Sequence, residues 1–318
     1  MELSNFFNAD MHPKDFNISF EEVDETFFLG NVNLFACYSV EPQIGKRINM
    51  VVKNHDKIIG FFRISSPVLA IKPRNNYFGS VLKSYNVNPH VLNGSVIVCV
   101  QPFGSNFNGG KLLTYLCISN EMTEKIRKIR PDYCFFETTS LRGEIKQSSQ
   151  YDGMEPYLKK NGLTESRQLS YPTNDIYREL RHYIEPAYGI AEFNGRVTDR
   201  KKSSARLREY NKLISLFEQN LKEMDINKYN DFIKLRDSKK QIHCLKGYYY
   251  STLGYSNVRE HVLNNEPLKE KDRYKFDFKN LYERWLRQST NRYEKLKSEN
   301  RFKTELETQL NQKNNHKQ

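Results

Sequence analysis

Apolar and polar residues alternate in short blocks through the first half of the chain and in long helical stripes through the second. Ile48-Asn49-Met50-Val51-Val52-Lys53 leads into polar Asn54-His55-Asp56-Lys57, and Ile58-Ile59-Gly60-Phe61-Phe62-Arg63-Ile64 returns. Two apolar runs around a four-residue polar turn predict a β-hairpin. Ser65-Ser66-Pro67 ends it, and Val68 to Ile71 is expected to start a further strand. The β-branched Val96, Ile97, Val98 and Val100 predict a strand over 95–100 that breaks at Pro102. Leu112, Leu113, Leu116, Ile126 and Ile129 recur at i+3 and i+4 spacing and predict a helix over 109–129. A strand over 133–137, a polar loop and a helix over 150–160 complete this half. Residues 1–45 are irregular and Phe-rich, and are expected to lay a strand or helix on the core.

From about residue 195 the pattern changes. Leu207, Tyr210, Leu213, Leu216, Phe217 and Leu221 form an apolar stripe on a polar helix over 201–224. Tyr229 to Leu235 predicts another helix, and residues 272–310 predict charged helices around Trp285. There is no internal repeat and no sustained heptad. The boundary is expected between Pro186 and Arg200, giving a core of 1–190 and an extension of 191–318.

Charge sharpens that division. The chain has 318 residues and a formal net charge of +12. Residues 1–190 hold 21 Lys and Arg against 20 Asp and Glu, while residues 191–318 hold 29 against 18. A near-neutral half joined to a basic half points to a core plus a part that grips a polyanion, with DNA as the expected partner. The alternative is a solvated, Lys-rich helical region. No apolar run reaches the length of a membrane span, and the first residues lack a signal peptide pattern, so a cytoplasmic protein without membrane contact is expected. Five scattered cysteines read as buried free thiols rather than disulfides or metal ligands. The adjacent His243 and Cys244 have no second ligand pair near them in sequence. The richness in Asn, Lys, Ile and Tyr suggests an AT-rich genome, such as many phages carry.

The candidate chemistry begins at Gln101-Pro102-Phe103-Gly104-Ser105-Asn106-Phe107-Asn108-Gly109-Gly110-Lys111. Strand, Gly-rich loop and helix N-terminus in that order can hold a phosphate, because unobstructed N–H groups and the helix dipole both favour an anion. A surface turn into a helix is the plainer alternative. A Walker loop is excluded, since no Ser or Thr follows Lys111. Glu137-Thr138-Thr139-Ser140 falls where a strand should end, facing a ligand crevice. Glu137 there can serve as a general base on an amine or satisfy backbone groups, and Thr139 lines the substrate side. Tyr151 and Asp152 can stack on and bond a flipped base; the serines before them can equally cap a helix. Arg200, Lys201, Lys202, Arg206 and Arg208 offer phosphate contacts that fix position without reading sequence. The aromatics Tyr248-Tyr249-Tyr250 and Tyr255 either stack on unpaired bases or build a small core.

The order from Val96 through Lys111 to Tyr133-Cys134-Phe135-Phe136 and Tyr157-Leu158-Lys159-Lys160-Asn161-Gly162-Leu163 resembles the acyl-CoA half of the N-acetyltransferase (GNAT) fold. That resemblance implies a mixed α/β sheet flanked by helices, in which the strand before the loop splays from its neighbour. It further implies an acyl-CoA donor in the gap, held by Gln101, Gly104, Ser105, Asn106, Gly109, Gly110 and Lys111. Tyr157 matches the family's Tyr-x-Lys-x-Gly pattern at the end of the last core helix, which makes it the general acid for the departing thiolate; a packed helix tyrosine is the alternative. Arg74-Asn75-Asn76-Tyr77-Phe78-Gly79, Lys111-Leu112-Leu113, Glu137-Thr138-Thr139, Arg142-Gly143 and Tyr151 resemble the Druantia DruA-like family, which is phage- and defence-associated. Its layout is similar to the Mom DNA-modification proteins of phages, although this chain lacks the Mom-type Ser-x-Ala-Asp and Gly-His signature.

Three functions fit these residues. The first is a GNAT-like enzyme that transfers an acyl-derived group to a DNA base amine, with Tyr157 as acid and Glu137 as base. The second is a GNAT-like core without catalysis, acting as a DNA-binding component of phage or anti-phage machinery. The third is an N-acetyltransferase for proteins or small molecules.

Overall fold

The expected hairpin forms the heart of a seven-stranded mixed sheet in a computed structural model of the chain. The structure describes residues 3–7, 11–37, 40–42, 45–141, 149–164, 221–223, 225–231 and 245–308. Strands β1 (Ile18–Glu22), β2 (Arg47–Asn54), β3 (Lys57–Ser65), β4 (Val91–Cys99), β5 (Phe135–Ser140), β6 (Lys159–Leu163) and β7 (Gly247–Ser251) lie in the order β1-β2-β3-β4-β5-β7-β6. Every pair is antiparallel except β4–β5. Alternation along the hairpin sends Met50, Val52 and Phe62 to one face and Val51 and Phe61 to the other. Helix α1 (Glu25–Val32) covers the second face through Phe28 and Val32.

Five further helices lie between β3 and β5: α2 (Lys72–Phe78), α3 (Ser84–His90), α4 (Phe103–Phe107), α5 (Gly109–Ile118) and α6 (Asn120–Arg127). Two local expectations fail here for visible reasons. Residues 68–71 are not a strand; Val68 and Leu69 are exposed, and their carbonyls accept from the Arg74 guanidinium. The helix expected over 109–129 is two helices. Ser119 adopts extended backbone between them and caps the second, accepting from the Met122 N–H at 3.2 Å.

The expected helix over 150–160 is also absent. Residues 150–157 turn, and Lys159–Leu163 pairs with β7 as an edge strand. Tyr157 therefore does not end a core helix.

The domain division needs the largest correction. Residues 1–165 and 245–318 form one compact unit, and residues 166–244 form another. The chain leaves the sheet after β6 and returns at β7, where Lys246 and Thr164 exchange two hydrogen bonds of 2.8 and 3.0 Å. The second unit is thus an insertion in a β-hairpin. In it, residues 221–223 and 226–231 are helical, and Asp225 accepts from the N–H groups of Asn227 and Lys228. The expected terminal extension continues from residue 245 as core: strand β7, helix α7 (Val258–Asn264) and helix α8 (Phe278–Ser298). Helix α8 buries Leu281, Trp285, Ser289 and Leu296 along one stripe, and Trp285 donates its indole N–H to the Phe107 carbonyl at 2.9 Å. No helix among the described residues is long and apolar enough to cross a membrane.

Candidate functional site

The parallel pair β4–β5 is where the resemblance placed a ligand crevice. The two strands pair only from Val91–Phe135 to Gly94–Thr138. Beyond that point β4 keeps its pairing to β3 as far as Cys99, and β5 keeps its pairing to β7 as far as Ser140. Each strand holds its outer neighbour and gives up the other. The last tie is the Thr138 hydroxyl, which donates to the Gly94 carbonyl at 2.8 Å.

The opening between them is occupied by the protein's own chain. Tyr151 is buried there. The Tyr151 hydroxyl lies 3.4 Å from the Thr138 hydroxyl, and burial pushes its pKa up to about 12. Exposed Gln150 lies across the mouth: its amide reaches the Ile97 carbonyl of β4 at 3.4 Å, and its side chain fills the space where a Cβ on Gly110 would stand. Asp152 accepts from the Tyr249 hydroxyl at 2.8 Å and from the Ser149 N–H at 2.8 Å. The Ser149–Asp152 turn therefore touches β4, α5, β5 and β7 together, and Tyr151 and Asp152 face protein partners.

The expected phosphate loop is instead helix α4 and a tight turn into α5. Five of its amides are engaged within the turn. Gly104, Asn106, Asn108 and Lys111 donate to the carbonyls of Val100, Pro102, Gly104 and Asn108, and the Ser105 N–H donates to the Gln101 side chain at 3.0 Å. A Cβ on Gly109 would meet the Phe103 ring at 2.7 Å, so this glycine permits close packing. The outer side of the turn is covered. Arg292 donates to the Ser105 carbonyl, Asn106 donates to the Lys303 carbonyl at 2.7 Å, and the Glu307 N–H donates to the Gln101 carbonyl at 3.1 Å. Helix α8 and the segment after it thus dock against the turn on which the resemblance placed a pyrophosphate.

Glu137 is not at the crevice end of its strand. It is the third residue of β5 and fully buried, with both oxygens engaged: Arg74 donates to one at 2.9 Å and the Tyr248 hydroxyl to the other at 2.8 Å. Burial raises its pKa, while the Arg74 charge and these two bonds oppose the shift. The neighbouring Thr139 is half-buried on β5, in register with Tyr248. Tyr157 belongs to a different cluster. Its ring meets Tyr115 and Phe276 edge-on at 5.9 and 5.4 Å, and the Arg284 guanidinium lies 5.3 Å from its centre. Acid and base candidates thus sit in separate clusters. Tyr248 and Tyr249 are buried strand residues and Tyr255 is sandwiched by Arg127 and Arg273, so these aromatics build core and do not offer open faces to bases.

Lys111 retains a distinct environment. It is the third residue of α5 and half-buried; desolvation lowers its pKa, as does the Arg284 charge, while Asp152 acts the other way. Arg200, Lys201, Lys202, Arg206 and Arg208 lie outside the described residues, as do His243 and Cys244.

Sequence reading missed one cluster. His90, Cys134 and His261, far apart in the chain, meet below the paired ends of β4 and β5. No short spacing motif announces them.

Compared with protein families, residues 24–183 match the model described as Druantia protein DruA. The match spans half of the chain. No curated protein matches it.

Proposed function

Because this chain belongs to the Druantia protein DruA family, whose membership implies a component of an anti-phage defence system, we propose that it acts in such a system as a nucleic-acid-binding scaffold on a GNAT-like sheet, without transferase chemistry. The observation that carries the reading is the opening between β4 and β5, entered by Tyr151 and covered by Gln150. A donor in that opening must displace the whole Ser149–Asp152 turn, its bonds to β4, β5 and β7 and its packing on α5. Glu137 is fully buried, with Arg74 and the Tyr248 hydroxyl bonded to its two oxygens, so an amine could reach it only by entering the core.

Charge supports the nucleic-acid part. The inserted residues 166–244 hold 16 Lys and Arg against 11 Asp and Glu, with Arg200, Lys201, Lys202, Arg206 and Arg208 within nine positions. Residues 245–318 hold 16 against 10, and Lys279, Arg287 and Lys295 are exposed on α8. Such groups bind phosphates by releasing counterions, a term independent of base sequence.

Binding of a labelled duplex and a labelled single strand across a salt series tests this. The account expects affinity to fall steeply with salt. Replacing Arg200, Lys201, Lys202, Arg206 and Arg208 with alanine is expected to flatten the slope by about 0.9 for each duplex phosphate that the variant leaves unneutralised. Salt-independent binding, or an unchanged slope in the variant, overturns it.

A second reading has one observation in its favour. Lys111 and Arg284 place two cations at the head of α5 near Asp152, which suits an anionic donor for transfer to a base amine. Nucleosides from cells expressing the protein, compared by mass spectrometry with those from a Tyr157→Phe strain, separate the readings. A new adduct that disappears in the variant favours the enzyme; unchanged nucleosides favour the scaffold.

A further inference from the structure

At the end of the sheet opposite the β4–β5 opening, three segments of chain converge. His90 closes α3 immediately before β4, Cys134 immediately precedes β5, and His261 lies in α7. The Cys134 N–H donates to the His90 carbonyl at 3.1 Å, and the Asn86 amide of α3 donates to the Val262 carbonyl of α7 at 3.1 Å. One ring nitrogen of each imidazole and the Cys134 sulfur lie within 4.8 Å of one another.

The hydrogen bonds around the two rings define what they offer. His90 Nδ1 is 3.1 Å from the Asp132 carbonyl, and His261 Nδ1 is 2.7 Å from the Glu266 carbonyl. A carbonyl only accepts, so each Nδ1 carries the proton and each Nε2 keeps its lone pair. A backbone carbonyl on one nitrogen is the usual way a protein orients a histidine whose other nitrogen binds metal. The two rings meet edge to face with centroids 4.9 Å apart. His261 Nε2 is buried without a hydrogen-bond partner, an arrangement that costs free energy unless something fills the position. Cys134 is fully buried and His90 nearly so.

We propose that His90, Cys134 and His261 form a zinc site. Two imidazoles and a thiol suit a borderline-soft divalent ion and exclude magnesium and calcium, which take oxygen ligands. Tetrahedral zinc takes nitrogen at about 2.0–2.1 Å and sulfur at about 2.3 Å, so the three atoms, which lie within 4.8 Å of one another, draw together around it. On binding, the thiol proton leaves to solvent and the sulfur bonds the metal as thiolate. Three ligands leave a fourth position for water. The site joins α3, the start of β5 and α7, pinning the part of the chain that follows the insertion to the part that precedes it. It lies at the end of the sheet opposite the open strand ends and forms no part of that opening.

The test uses the full chain, purified without an affinity tag that binds metal. Elemental analysis is expected to find one zinc per chain. Cobalt(II) added to chelator-treated protein is expected to give a tetrahedral visible spectrum with a thiolate-to-cobalt charge-transfer band in the near ultraviolet. That band is expected to vanish in Cys134→Ser and to persist in Cys37→Ser, an exposed cysteine outside the cluster, and in Cys244→Ser. Substoichiometric zinc together with no thiolate band on cobalt addition to the unaltered chain overturns the proposal, as does a band unchanged in Cys134→Ser. The measurements on the unaltered chain decide the question even if the buried serine variant does not fold.

Discussion

Gln150 lies directly over Gly110: a methyl group on that glycine would overlap the Gln150 side-chain oxygen and stand 3.0 Å from its Cβ. The glycine is buried at the start of α5, and the Thr114 hydroxyl donates to its carbonyl at 2.7 Å. The close approach is what keeps the Ser149–Asp152 turn against the helix.

Gly110→Ala is therefore expected to push that turn outward and to destabilise the protein by about 1–3 kcal/mol, as overpacking does. Gln150→Gly is expected to recover most of the loss in the double variant. Denaturant unfolding of both single variants and the double supplies the coupling energy; strictly additive effects would show that the two residues do not meet.

Arg74 and Glu137 form a fully buried ion pair joined by Tyr248. Glu137→Ala leaves the guanidinium buried without its counter-charge and is expected to cost about 3–5 kcal/mol. A triple variant, Arg74→Met, Glu137→Leu and Tyr248→Phe, is expected to regain most of that, because a well-packed apolar replacement removes the desolvation penalty of both ions. Equal stability of Glu137→Ala and the natural chain would refute the buried pairing.

Trp285 is the single tryptophan of the chain, fully buried, and stacked on Phe16 at 6.1 Å. Its emission is expected to be blue-shifted and shielded from acrylamide until the protein unfolds. Trp285→Ala is expected to destabilise the whole unit by about 3–5 kcal/mol. A red-shifted, quencher-accessible tryptophan in the native protein would contradict the docking of α8 on α4.

Glu25 makes a second polar network, accepting from Arg47 and Asn49 at 2.5 and 2.9 Å and from the buried Arg63 at 3.1 Å. Burial pushes its carboxyl up, but the bonds from Asn49 and Arg47 and the charge of Arg63 outweigh this, so the pKa falls below the ordinary 4.5. A lowered folded-state value contributes stability that is present above the unfolded pKa and is lost as pH falls through the folded one. The stability difference between the natural chain and Glu25→Gln is expected to be constant near neutrality and to shrink below about pH 4.5. A difference independent of pH down to the acid transition would show that Glu25 is not held as an anion.

Local pattern was enough for the hairpin, the strand before Pro102, the existence of a strand around Phe135 and Phe136 and the helical stripe around Trp285, because each is carried by apolar residues within one segment. Three features were not legible. The break at Ser119 depends on a cap whose signal lies inside a continuous apolar periodicity. The strand over 159–163 is polar and exposed on one edge, so it has no alternation to read; only its pairing with Tyr249 and Tyr250 makes it a strand. The glycines at 104, 109 and 110 carry the same letters whether they face a phosphate or a phenylalanine. Their meaning was set by the side chains packed on them: Gln101 and Cys99 at Gly104, Phe103 at Gly109 and, 40 positions on in the chain, Gln150 at Gly110. The charge contrast between the halves was real, but it did not mark a domain boundary, since part of the basic half closes the core.

Calorimetric titration of the full chain with coenzyme A and with acetyl-coenzyme A addresses the closed opening between β4 and β5 most directly. The account predicts no saturable heat with either compound at concentrations well above those that fill working acyltransferases. Stoichiometric binding that is abolished by Lys111→Ala would contradict it, and would return the Ser149–Asp152 turn to the role of a lid over a working donor site.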